Sequence, residues 1–180
     1  MGIEIEKKYR LTRELRERLI TRLQESGATH QGEEFEENTL YAGGNLDSSR
    51  QVLRLRRIGS QTILTYKERF TSASAIKHHR EDETGVEDAQ ALADILDALG
   101  YKPTMIYEKR RATWLLKGTK IVVDELPFGL FVEIEGEENS ITEIEQLLHL
   151  GEAEAEMATY PELARQHGEK RGEVIEVRFK

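Results

Sequence analysis

The stretch Met1-Gly-Ile-Glu-Ile-Glu-Lys-Lys-Tyr-Arg10 decides how the rest of this chain is read. As a strand it places Glu4, Glu6, Lys8 and Arg10 on one face and Ile3, Ile5 and Tyr9 on the other, because side chains alternate along extended backbone. The apolar face reads as ordinary core. The opposite face carries two carboxylates and then an ammonium, which a strand with one wet side would explain. The same pattern recurs further along the chain, and the recurrence makes it informative.

Working outward, 180 residues suffice for one domain with a real core. The charged share, 33%, lies above the usual quarter, so some charged residues do more than solubilise. A net charge of −8 argues against nucleic acid and anionic membrane as partners, and any anionic ligand must be held by a local basic cluster. With no cysteine, disulfides, thiolate metal sites and a cysteine nucleophile are excluded. No apolar run approaches the ~20 residues of a membrane span, and no signal-peptide core follows the start. A soluble, cytoplasmic protein is the expectation.

In chain order, Thr12 caps a helix carrying Leu15, Leu19, Ile20 and Leu23 on one stripe, ending near Gly27. An extended run follows from about Glu34 to Ala42, then a loop at Gly43–Ser49. Val52–Ile58 alternates with Arg54 and Arg56 on one face, and Gly59-Ser60 turns it into Gln61–Lys67, a hairpin signal. Thr71-Ser-Ala-Ser-Ala75 reads as a second small-residue loop. Lys77 to Gly85 sets Lys77, His79, Glu81 and Glu83 at alternate positions. Asp88 opens a helix closed by Gly100; Met105–Leu116, Thr119–Leu126 and Leu130–Gly136 are further strands. Ser140-Ile-Thr-Glu143 reads as a capping box opening a helix, and another short helix starts near Thr159-Tyr-Pro-Glu162. Residues 169–180 form a tail with strand composition, left to pair either with a barrel edge or with a second subunit in a homodimer. His30, His78, His149 and His167 fall on helices or near turns, as surface residues.

Eight extended segments with one apolar and one charged face can form an open sheet with the charges in water. The alternative is a sheet closed on itself, and eight strands suffice for a small barrel. The charge pattern favours closure: an α+β fold with a closed eight-stranded antiparallel β-barrel, a charged interior and helices packed outside. Glu4, Glu6, Glu81, Glu83, Asp124, Glu133 and Glu135 would face in, with Lys8, Arg54, Arg56, Lys67, Lys77, Lys109 and Arg111. Mutual salt bridges alone are a poor reason for such an interior, since buried ion pairs contribute little net stability. Confined lysines and arginines suit a polyphosphate, arginine as a planar fork and lysine as a movable point charge. Carboxylates beside them would repel phosphate unless a hard cation bridges the two, and Mg²⁺ or Mn²⁺ takes oxygen ligands. The pairs Glu4/Glu6 and Glu133/Glu135, spaced i, i+2 on strands, suit one or two such ions.

The motifs in order resemble the CYTH-domain superfamily, the triphosphate tunnel metalloenzymes, named for class IV adenylate cyclases and thiamine triphosphatases. The signature Glu-x-Glu-x-Lys stands at Glu4-Ile-Glu6-Lys-Lys8. Leu53-Arg-Leu-Arg56, Thr65-Tyr-Lys67, Glu81-Asp-Glu83, Glu108-Lys-Arg-Arg111, Val123-Asp-Glu125, Gly129–Gly136 and Tyr160-Pro-Glu-Leu163 follow. The resemblance covers roughly residues 3–165 and implies a tunnel domain over residues 1–168, with the tail outside it. It departs from the family at His79, where a basic residue is common, and after Lys67, where Glu68-Arg69 replaces a turn; Asn38-Thr-Leu-Tyr41 matches only loosely.

By the resemblance, Lys8, Arg54, Arg56, Lys67, Lys77, His79, Lys109 and Arg111 bind the triphosphate. Glu4, Glu6, Glu133 and Glu135 hold Mg²⁺ or Mn²⁺ and, with Lys8, form the catalytic set, while Glu81, Glu83 and Asp124 are further metal ligands. Two reactions suit such a tunnel: hydrolysis of a triphosphate, or cyclisation of ATP to cyclic AMP and pyrophosphate. Hydrolysis asks less of the protein and is the expected activity, with tripolyphosphate, thiamine triphosphate or a nucleotide as substrate. A cyclase would stack the base on an aromatic among Tyr41, Tyr66, Phe70 and Tyr107. A non-catalytic polyphosphate-binding module is the third alternative, and its mark would be lost carboxylates, which this chain retains.

Overall fold

A computed structural model describes residues 2–70 and 75–180, so most of the small-residue loop at 71–75 lies outside the described residues. Eight long strands build the body: β1 (Gly2–Leu11), β2 (Thr29–Gly43), β3 (Gln51–Ile58), β4 (Gln61–Arg69), β5 (Lys77–Gly85), β6 (Tyr101–Leu116), β7 (Thr119–Leu126) and β8 (Gly129–Glu135). Their order is β6-β2-β3-β4-β5-β1-β8-β7, and β7 pairs back onto β6, which closes the barrel. Every one of these pairings is antiparallel. Tight turns make the hairpins local. At Lys117-Gly118 both residues have positive φ (50° and 80°) between the paired ends Leu116 and Thr119, the backbone that matches strand twist.

Two strands start earlier than the sequence pattern suggests, β2 at Thr29 rather than near Glu34 and β6 at Tyr101 rather than Met105. They pair with each other from Thr29↔Leu115 to Gly43↔Tyr101, so main-chain bonding carries them past the alternating region. The register shifts at His30/Gly32 and at Leu40/Tyr41, where Pro103 is accommodated opposite Tyr41. Gly43 ends β2 with φ +116° and passes so near the Gly100 carbonyl that an added Cβ would collide with it.

Helices α1 (Arg13–Glu25) and α3 (Glu138–Leu147) cover the outside of β1, β7 and β8. Leu19, Leu23, Ile141 and Ile144 meet Tyr9, Ile121, Val123, Val132 and Ile134 in one buried cluster. Thr12 caps α1 as expected, its hydroxyl accepting from the Leu15 N–H. The expected capping box at Ser140–Glu143 does not form: α3 starts at Glu138 after Glu137, without a side-chain cap. The Gly136 N–H bonds to the Ile5 carbonyl, which ends β8 on the barrel rim, and the helix begins before Ser140 is reached. Glu138 in the first turn complements the helix dipole instead. Between β5 and β6, α2 (Ala89–Ala98) is capped by Asp88 and lies against β6, with Leu96 buried and Ile95 and Leu99 exposed.

Beyond α3, β9 (Glu154–Ala155) pairs with β1, and α4 (Tyr160–His167) starts where expected, with a capping box of Thr159 and Glu162. The tail folds as a hairpin, β10 (Glu169–Arg171) and β11 (Val174–Val177), and β11 lies parallel to β6 at Met105–Tyr107. It therefore pairs with the barrel edge. Arg178 fastens it to Glu37 (2.7 Å) and Glu108 (2.8 Å). Tyr160, Leu163, Ala164 and Val177 form a second cluster with Leu40, Met105, Tyr107, Leu126 and Phe131. Phe131 shares its face of β8 with Glu133 and Glu135, so α4 closes over part of the inner wall. His30 and His78 lie on strands rather than on helices or turns; His30, His149 and His167 are exposed, and His78 is half-buried against Glu138. Among the described residues no helix is long and apolar enough to cross a membrane.

Candidate active site

Strand alternation and barrel closure together aim the charged faces at one cavity of about 800 Å³. Glu4, Glu6, Lys8, Arg54, Arg56, Lys67, His79, Glu81, Glu83, Lys109, Arg111, Glu133 and Glu135 line it. Two expected members stand behind the lining. Lys77 is buried and its Nζ donates to the Glu156 carbonyl at 3.3 Å. Asp124 is fully buried: Arg111 donates to it from Nε (2.8 Å) and Nη2 (2.6 Å), and the Tyr160 hydroxyl donates at 2.8 Å.

Carboxylates gather where β1 meets β8 and β5. The ladder sets Glu6 opposite Glu135, Lys8 opposite Glu133, and Glu4 opposite His79. The Lys67 ammonium bonds Glu4 and lies 3.5 Å from Glu6 and 3.2 Å from Glu81. Burial, with Glu6 and Glu81 nearby, raises Glu4 to about 7 in spite of Lys67. Burial likewise opposes ionisation of Glu6, but Lys67, then His79, Lys77 and Lys8, outweigh it and hold Glu6 at about 2. Glu133 is pushed up to about 7 by burial and by Glu6 and Asp124, although Arg111 donates to it at 2.9 Å. Desolvation and the Lys67 charge press His79 down to about 4, so its ring is neutral near pH 7.

Cations from β3 and β6 interleave with further acids. Arg54 lies 3.7 Å from both Glu81 and Glu83, and Arg56 donates to Glu83 at 2.9 Å. The Nε–H groups of both arginines are buried and make no hydrogen bond among the described residues, while their outer nitrogens turn toward Glu81 and Glu83. Lys109 reaches Glu36 (3.4 Å) and Asp124 (3.5 Å). The Lys8 ammonium sits 4.1 Å over the Tyr160 ring, and burial, reinforced by Lys77, lowers it to about 8 against the pull of Glu133.

Sequence reasoning missed several of these residues. Glu36 on β2 is fully buried beside Lys109, Arg111 (3.8 Å) and Arg56 (4.0 Å). Its signal was hidden in Glu33-Glu-Phe-Glu-Glu-Asn38, where acids on both faces leave no alternation. Tyr160, Arg69 and Arg165 also line the cavity; they come from α4 and the end of β4, outside the alternating runs. Of the four aromatics expected near a base, Tyr41 and Tyr107 line the cavity, while Tyr66 lies beneath Arg80 and Phe70 is exposed.

The donor set fits a divalent cation: Glu4, Glu6 and His79 each bring a ligating atom within 4.8 Å of the others. A closed antiparallel barrel with helices outside and interleaved acidic and basic side chains within defines a charged-tunnel protein. The CYTH domain matches residues 2–164, and the chain belongs to the CYTH family, whose tunnel enzymes act on triphosphates and generally depend on divalent metals. The PH1012 protein of Pyrococcus horikoshii OT3 is similar at 26% identity, with a TM-score of 0.78 over 89% of this chain and 98% of that one. HpAC1 from Hippeastrum, described as an adenylyl cyclase candidate with a dominant triphosphatase activity, shares the fold at 18% identity and TM-score 0.69, covering 93% and 96%. An adenylate cyclase candidate from Vibrio parahaemolyticus does so at 20% identity and TM-score 0.69, covering 90% and 97%. Among curated proteins none matches this sequence.

Proposed function

We propose that this protein hydrolyses a triphosphate, inorganic or organic, within the tunnel in a divalent-metal-dependent reaction that releases orthophosphate. One observation carries the reading: guanidinium, ammonium and carboxylate side chains from most of the barrel strands converge on a single cavity. Lys8, Arg54, Arg56, Lys67, Lys109 and Arg111 hold the phosphate oxygens and stabilise the charge that spreads over them during transfer. Glu4, Glu6, Glu133 and Glu135 hold the metal, with Glu81 and Glu83 beside them. Mg²⁺ or Mn²⁺ bound there supplies charge neutralisation and activation of the attacking water. Asp124, engaged by Arg111 and Tyr160, serves as a positioning residue for Arg111 and Lys109.

The cyclase reading rests on Tyr41, which lines the cavity beside Leu40 and Ala42 where a base would stack. Hydrolysis needs no such contact. The two separate in one experiment: the pure protein is incubated with tripolyphosphate, ATP and thiamine triphosphate, each with Mg²⁺ or Mn²⁺, and the products are resolved. Orthophosphate without cyclic AMP supports the hydrolase and ranks its substrates. Cyclic AMP with pyrophosphate from ATP replaces it with the cyclase, and binding without product leaves a non-catalytic module.

A further inference from the structure

His79 stands on β5 opposite Glu4 and is 2% exposed. Its Nδ1 is buried with no hydrogen-bond partner among the described residues and lies 4.0 Å from Glu6 Oε1. A buried ring nitrogen left unpaired is costly unless a ligand completes it. The Glu6 carboxylate oxygen beside it disfavours a phosphate there and favours a cation. Lys67 marks the same spot, since its ammonium lies among Glu4, Glu6 and Glu81. Ligand atoms around one divalent ion, at bonds of about 2.0–2.3 Å, lie about 3–4 Å apart. Glu4, Glu6 and His79 lie within 4.8 Å of one another, so small side-chain movements would bring them to that geometry with Lys67 displaced by the ion.

We propose that His79 is a ligand of the same ion as Glu4 and Glu6, and that its nitrogen biases the tunnel toward Mn²⁺, Co²⁺ or Zn²⁺ over Mg²⁺. The proposal rests on the metal-dependent reading above and adds its selectivity. An all-oxygen shell suits Mg²⁺, which takes imidazole poorly, whereas a mixed nitrogen and oxygen shell gains affinity along the first transition row. The departure at His79 from the basic residue common in the family then has a chemical consequence: a position spent on phosphate elsewhere is spent on the metal here.

Pulsed electron paramagnetic resonance of the full chain loaded with Mn²⁺ tests this without turnover. The expected spectrum shows ¹⁴N modulation, converted to the ¹⁵N pattern when the protein is labelled with ¹⁵N-histidine, and lost in His79→Gln. By calorimetry the same substitution weakens Co²⁺ about tenfold or more while Mg²⁺ changes by less than about threefold. Bound Mn²⁺ without nitrogen coupling in the unsubstituted protein overturns the proposal, even if that protein does not survive substitution. Coupling that persists in His79→Gln also overturns it, since the nitrogen would come from a surface histidine. Hydrolysis with silent nitrogen spectra sinks the His79 assignment alone, whereas failure to bind Mn²⁺ at all sinks the metal-dependent reading with it.

Discussion

Replacing Asp124 by Asn tests whether one buried carboxylate holds Arg111 and Lys109 in place. Asp124 has no exposed surface and accepts from Arg111 at 2.8 and 2.6 Å and from Tyr160 at 2.8 Å, with Lys109 at 3.5 Å. Asparagine keeps the shape, removes the charge and turns an N–H₂ toward guanidinium donors. Breaking a buried ion pair by removing one partner costs about 3–5 kcal/mol. Arg111 keeps Glu133 at 2.9 Å and Glu36 at 3.8 Å, so the lower end, ~3 kcal/mol, applies. For a chain of this length that is a fall of about 6–12 °C in Tm. Thermal unfolding by circular dichroism should show it in metal-free buffer, and saturating tripolyphosphate should narrow the gap by supplying the missing negative charge. Burial opposes ionisation of Asp124, but Arg111 and Lys109 hold its pKa well below the ordinary 3.8. Its stabilisation is therefore present above that value and lost as pH falls below it, so the gap should close in acid. A Tm within about 2 °C of the unsubstituted protein at neutral pH, or a gap indifferent to tripolyphosphate, would refute the reasoning.

Other perturbations address the remaining parts of the site. Glu133→Gln should abolish turnover while the far-ultraviolet spectrum stays that of the folded barrel; full activity would remove Glu133 from the metal site. Arg56→Ala should raise KM for tripolyphosphate by about 10–100-fold, the worth of one charged hydrogen bond, and an unchanged KM would show that Arg56 does not touch substrate. Glu4 and Glu133 hold their protons to about pH 7, above the ordinary 4.5, so Mn²⁺ must displace protons below that pH. Calorimetric affinity should rise by up to about tenfold per pH unit for each carboxylate up to pH 7 and then level off. The metal-free barrel, by the same linkage, should lose stability as pH rises from about 4.5 to 7, with His79, lowered to about 4, offsetting one of the two carboxyls up to about pH 6.5; a stability that rises across this window would contradict the raised values.

The barrel was legible because its strands announce themselves twice, by alternation and by charge on one face. Glu4-Ile-Glu6-Lys-Lys8, Leu53-Arg-Leu-Arg56 and Phe131-Val-Glu133-Ile-Glu135 each fix which side chains point inward, and closure then brings them to one cavity. The failures are tertiary in origin. Glu36 lies in an acidic run without a dry face, and only pairing with Lys109 across the ladder turns it inward. The full lengths of β2 and β6 come from mutual pairing that tolerates a proline and a glycine at bulges. Ser140 and Glu143 have the letters of a cap, yet the Gly136–Ile5 bond starts the helix earlier. The tail has strand residues, but its partner, the Met105–Tyr107 edge of β6, belongs to another part of the chain.

The proposed function requires the interleaved acids and bases of the tunnel to make one metal-dependent site for a triphosphate. Its most direct test is tripolyphosphate turnover by the purified protein, with products separated by ion chromatography under three conditions: Mg²⁺, Mn²⁺, and excess chelator. Orthophosphate and pyrophosphate in equal amounts are expected with metal and none with chelator. Undiminished hydrolysis in chelator, or tight binding of tripolyphosphate with no product under any metal, would contradict it.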